Sequence, residues 1–139
     1  MGRSKSGLFL MELIIVITFF AFTSAICIQL FAAAHRLSTR SVGMQMAVVN
    51  AQSAAETFKA TGGDISSMSA LLGASFAGGT LLVNYDENWN LTPEEGRFEM
   101  MVWANLQSVP AMAIITVRDT IHDEELYSLI VRSYLGVNP

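Results

Sequence analysis

A nearly unbroken apolar run from Leu8 to Ala34, 27 residues with a single charge at Glu12, limits what this chain can be more than any other feature. As a helix it is about 40 Å long at ~1.5 Å per residue, longer than the ~30 Å hydrocarbon core of a bilayer. A short basic leader precedes it, Met1 to Ser6 with Arg3 and Lys5, and ends at Gly7. A carboxylate inside a spanning segment costs on the order of 2.5–3.5 kcal/mol at the bilayer centre, which makes Glu12 a functional candidate. Glu12 is also close enough to the end of the run for its carboxylate to reach back toward the headgroups. A cleavable secretory signal is the competing account, and Ala32-Ala33-Ala34 offers a small-residue cut that would release a domain beginning at His35. Such signals have an apolar region of ~7–15 residues, however, and this one is about twice that length and contains Glu12. Arg3 and Lys5 before the run are matched by Arg36 and Arg40 after it, so charge bias alone leaves the orientation open.

Gly7, the apolar residues that follow it and Glu12, taken in register, resemble the N-terminus of type IV prepilins and pseudopilins. The resemblance covers the leader and the apolar run. It implies that a membrane aspartic peptidase, the prepilin peptidase, cuts between Gly7 and Leu8, and that the new amine of Leu8 is N-methylated. Glu12 then stands fifth in the mature chain, the position of the glutamate that neutralises the amine of a neighbouring subunit during filament assembly. The implied partners are other copies of the chain, other pilin-like subunits, an inner-membrane assembly platform and membrane lipid. The implied location is a single-pass cell-membrane precursor with its C-terminal domain outside the cytoplasm, followed by an extracellular or periplasmic filament. Two positions depart from the pattern: Leu8 stands where Phe is common, and there is no helix-bending Pro near Gln29.

Beyond Ala34 the helical pattern does not break, because Pro93 is the first proline and Gly43 is an isolated glycine. Met44, Val48, Ala51, Ala55 and Phe58 make a 4-3-4-3 stripe, with Gln45, Gln52, Glu56 and Lys59 on the other side. Gly62-Gly63 is a strong stop. One helix is therefore expected from Leu8 to Thr61, about 80 Å long by its rise, with its second half amphipathic. Asp64 to Gly73 reads as a short helix and Ala77-Gly78-Gly79 as a turn. Four strands follow: Thr80–Tyr85, Arg97–Leu106, Ala111–Arg118 and Glu125–Leu135. Their alternation puts Phe98, Met100, Val102, Ala104 and Leu106 on one face of the second, Ala113, Ile115 and Val117 on one face of the third, and Tyr127, Leu129 and Val131 on one face of the fourth. Short connections imply an antiparallel meander whose apolar face needs a cover, and the helical stripe supplies one. The expected class is α+β, with a long N-terminal helix on a small antiparallel sheet, as in the pilin family. Its segments are a leader (1–7), a spanning half-helix (8–34), an amphipathic half-helix (35–62) and a small domain (63–139).

Charge and motif content narrow the function further. From residue 41 onward there are 4 basic and 11 acidic residues, a difference of −7. That balance opposes a phosphate-binding groove, so no nucleic acid partner is expected. Cys27 is the only cysteine and lies in the apolar run, which excludes an internal disulfide. His35 reads as an interfacial residue and His122 as a solvated one in the acidic turn Asp119–Glu125. Neither has ligand spacing around it, and no nucleophile or phosphate-loop motif is present. Asp86-Glu87-Asn88-Trp89-Asn90 places oxygens at alternate positions as a calcium loop does, but Leu91 replaces the required Gly and Arg97 the closing Glu. A polar hairpin turn with Trp89 folded onto the sheet is the simpler reading, and neither cofactor nor metal is expected. The chain thus reads as a structural filament subunit, not an enzyme. The alternatives are a non-polymerising, membrane-anchored binding module or a domain secreted by an ordinary signal peptide.

Overall fold

A computed structural model describes residues 4–134. The leader residues 1–3 and the expected strand end at Leu135 lie outside the described residues. The helix α1 runs from Ser4 to Ala60, 57 residues without interruption. By compactness the chain divides between Ser41 and Val42 into two units.

In the first unit α1 exposes its apolar side chains all round, and none of its most apolar window is buried. Two threonine side chains within the run are satisfied by the helix itself. The Thr18 hydroxyl donates to the Ile14 carbonyl at 2.7 Å and the Thr23 hydroxyl to the Phe19 carbonyl at 2.9 Å. A lipid environment demands that kind of internal pairing.

In the second unit α1 ends where two glycines adopt left-handed conformations, Gly62 at φ 62° and Gly63 at φ 80°. The Gly63 N–H then donates to the Phe58 carbonyl at 3.0 Å, satisfying a carbonyl at the helix end. A short helix α2 (Ile65–Leu72) follows, capped by Asp64, whose side chain accepts from the Ser67 N–H at 3.0 Å, and closed by Gly73. The sheet comprises β1 (Ser75–Ala77), β2 (Thr80–Tyr85), β3 (Leu91–Thr92), β4 (Phe98–Asn105), β5 (Ala111–Asp119) and β6 (Glu124–Ser133). All its pairings are antiparallel, in the order β1-β2-β4-β5-β6, with β3 also on β2.

The expected four-strand meander is therefore present as β2, β4, β5 and β6, and two short strands extend it. A two-residue turn, Gly78-Gly79, links β1 to β2 with both glycines at positive φ, the geometry that suits the twist of a hairpin. At three and two residues, β1 and β3 are too short to show an alternation.

The core lies between the C-terminal part of α1 and one face of the sheet. Ala47, Ala51, Ala54, Ala55 and Phe58 are buried with Leu81, Val83, Met100, Val102, Ile115 and Val117, and α2 adds Met68. Ala47 and Ala54 replace part of the expected stripe, for Met44 is 44% exposed and Val48 only half-buried. The line 47-51-54-58 is the centre of the buried face, and three of its four residues are alanines. Leu106 also departs from expectation. It lies past the end of β4 and is exposed, because Asn105 Oδ1 accepts from the Gln107 N–H at 3.1 Å and turns the chain away.

Candidate functional site

Gly7, Leu8 and Glu12 lie in the first turns of α1, all exposed. Leu8 and Glu12 are four residues apart, so they share a helix face about 6 Å apart along the axis. A Cβ on Gly7 would meet nothing within 4 Å, so no packing in the fold requires glycine there. Any requirement for it belongs to whatever recognises the segment. Glu12 makes no hydrogen bond or ion pair among the described residues.

The second cluster, at the end of β5, was not legible in the sequence. Asp119 is 5% exposed and accepts from both sides of its own turn. Its Oδ1 takes the Ile121 N–H at 2.9 Å and the His122 N–H at 3.3 Å, while Oδ2 lies 3.0 Å from His122 Nδ1 and 3.4 Å from Arg97 Nη2. Burial is the largest influence on the Asp119 carboxyl and pushes its pKa up. The hydrogen bonds from the His122 side chain and from the His122 and Ile121 backbone, with the Arg97 charge, outweigh it and leave the group below its ordinary value. His122 is thus not simply solvated: its ring is 62% exposed but tied to a buried carboxylate. The neighbouring Thr120 hydroxyl lies 2.9 Å from the Gly96 carbonyl and 2.8 Å from that of Arg97, and serves to close the turn. The Asp119–His122 pair bonds within its own turn. It is a clasp that fixes the shape of the β5–β6 turn.

The turn after β2 is also self-contained. Asp86 Oδ1 accepts from the Asn88 and Asn90 N–H groups at 2.8 and 2.9 Å, and Oδ2 from the Asn90 amide at 3.0 Å. These bonds, that of the Asn90 side chain first, hold the Asp86 carboxyl below its ordinary pKa. Trp89, at φ 64°, folds back so that its ring stacks on Phe98 at 4.0 Å and 9°. Arg97 lies over the other ring system, 5.0 Å from the Phe98 centroid. Among the described residues no group of three or more His, Cys, Asp or Glu side chains is placed to hold a metal ion.

Comparison with known protein families, curated proteins and solved structures finds no match to this chain.

Proposed function

We propose that this chain is the membrane-anchored precursor of a pilin-like subunit, cut between Gly7 and Leu8 and assembled into a helical filament. The filament would belong to a type IV pilus or to a secretion or DNA-uptake pseudopilus. The observation that carries the reading is a fully exposed apolar helix bearing one carboxylate, Glu12, in register with Gly7. An apolar helix without a cover is stored in lipid before assembly and buried among copies of itself afterwards. The packing of the C-terminal part of α1 on an antiparallel sheet, a pilin-like architecture, supports the same reading.

In this scheme the prepilin peptidase recognises Gly7, Leu8 receives the N-methyl group, and Glu12 neutralises the Leu8 amine of a neighbour. The inner-membrane assembly platform lifts the subunit out of the bilayer with its C-terminal domain outside the cytoplasm. Pairing the two charges offsets the desolvation each suffers in an apolar filament core. The deciding experiment is the intact mass of the chain expressed in a cell that contains the peptidase. A mature N-terminus at Leu8 is expected for the wild type, and full-length precursor for Gly7→Val. An N-terminus at His35 would indicate secretion by an ordinary signal, and an uncut chain a static anchor.

A further inference from the structure

One face of the sheet packs against α1, and the other is open. An antiparallel sheet usually presents polar side chains on such a face, and this one does not. Strand register sets Thr80, Trp103, Ile114 and Ile130 side by side in one row across it, and Leu82, Met101, Thr116 and Ser128 in the next. Met112 stands in the row beyond Ile114, between Asn105 and Arg132. Trp103 is 43% exposed and Ile130 57%, while Leu82, Met101, Met112 and Ile114 are half-buried. Single exposed apolar side chains need no explanation, but these occupy adjacent rows and form one patch.

The two ends of the patch differ in charge. At one end the register aligns Asn84, Glu99, Arg118 and Glu125, and at the other Asn105, Met112 and Arg132. Arg118 is engaged with Asp123. Glu99, Glu125 and Arg132 make no ion pair or side-chain hydrogen bond among the described residues. One end therefore offers unpaired carboxylates and the other an unpaired guanidinium.

We propose that this open face packs on the same face of a second copy of the chain, about a two-fold axis that runs across the strands. Sheets stack face to face ~10 Å apart with their strands nearly aligned, so each row meets a row. An axis across the strands exchanges the two ends of the patch. Trp103 then meets Met101 of the second copy, Ile130 meets its Ser128, and Arg132 meets its Glu125. Symmetry makes each contact twice. An axis along the strands would instead lay β6 over β2 and leave Arg132 facing the Gly78-Gly79 turn, where there is no carboxylate. Strands ~4.8 Å apart and rows ~6.8 Å apart give the four-strand face roughly 500 Å². Two copies together bury about 1,000 Å², the lower end for a specific contact, so the pairing is a weak one. Being isologous it closes on two copies. It is thus distinct from the heterologous contact a filament needs, and it holds whether or not the leader is cut.

The test uses the full chain in detergent, which imposes no common orientation on the anchors, in a Cys27→Ser background. A short bismaleimide should join two copies through Ser128→Cys, which lies beside the axis. Glu87→Cys, exposed in the turn after β2, should give little product. Trp103→Lys should lower the Ser128→Cys yield roughly tenfold, because it sets a charge at the centre of the apolar contact. Arg132→Glu should lower it by about the same factor, as both symmetry-related pairs become repulsive. Adding Glu125→Lys to the Arg132→Glu chain should restore the yield, a rescue that misfolding would not give. No product through Ser128→Cys, no loss with Trp103→Lys, or no rescue by the charge swap would each overturn the proposal. A fluorophore on Ser128→Cys that is shielded in particles holding one chain would make a lipid surface the occupant, and would overturn it too. Chains cut after Gly7 and shed in filaments, yet giving no cross-link, would remove this contact and leave the filament reading standing. A cross-link that obeys the charge swap, in a chain that cells leave uncut, would do the reverse.

Discussion

Replacing Asp119 by Ala removes the acceptor for the Ile121 and His122 N–H groups and for the His122 and Arg97 side chains, all at a buried position. Charged hydrogen bonds of this kind contribute about 1.5–3 kcal/mol each, and donors left unpaired add to the loss, so Asp119→Ala should be among the most destabilising polar substitutions. The same carboxyl gives a pH signature. Its folded pKa is depressed, so its contribution is complete above the ordinary carboxylate value and is lost as pH falls through the folded one. Thermal unfolding of the full chain in detergent should show stability falling below about pH 4. Asp119→Asn should start lower at neutral pH and follow a flatter acid limb. Asp64 and Asp86 are also depressed, and neither is touched by the substitution, so their share of the acid limb remains in the variant. Gly96 is a second sensitive residue, for a reason other than charge. A Cβ there would lie 2.1 Å from the Tyr85 carbonyl oxygen, which is main chain and cannot swing aside. Gly96→Ala should cost roughly 1–3 kcal/mol and lower the thermal midpoint, as overpacking does.

Between elements, the helix–sheet contact in the second unit depends on small side chains. Ala47, Ala51 and Ala54 are completely buried, opposite β-branched and methionine side chains of the sheet. Ala51→Leu or Ala54→Leu should therefore destabilise by about 1–3 kcal/mol even though each adds apolar surface, while Ala60→Leu, at an exposed position, should be nearly neutral. Thermal unfolding of the three variants checks the contrast. The long helix and four of the strands were legible in the sequence because each is long enough to repeat its period. Thr80–Tyr85 was placed to the residue, and its burial alternates in step with its side chains. β1 was hidden by its length, although Gly78-Gly79 was the available sign of a hairpin. The clasp at Asp119 could not be read either. Its partners are Arg97, which the register of β4 on β5 brings in from 22 residues away, and His122, whose ring orientation only the turn decides. Nothing in local patterning separates a buried carboxylate at the end of a strand from a solvated one.

For the molecule as a whole, the proposed filament reading has Glu12 separate insertion from assembly. Glu12→Val makes the apolar run more apolar, so membrane insertion should be unchanged or improved. Cutting after Gly7 should persist, because in the resembled family the glutamate matters mainly once the leader is gone. What should fail is polymerisation. The new amine at Leu8 would be buried among apolar helices with no carboxylate to meet it, and removing one partner of a buried charge pair costs roughly 3–5 kcal/mol. That penalty recurs with every subunit added, so a filament cannot grow past it by mass action alone. The measurement is the amount of processed subunit in sheared surface fractions relative to the amount retained in membranes. Wild type should appear in both fractions and Glu12→Val only in the second. The 4 Å of free space around a Cβ at Gly7 makes Gly7→Val the matched control, since it should fold and insert normally but stay uncut. If Glu12→Val subunits are shed in filaments as readily as wild type, Glu12 is an interfacial carboxylate with no part in assembly, and the chain is better described as a membrane-anchored binding module.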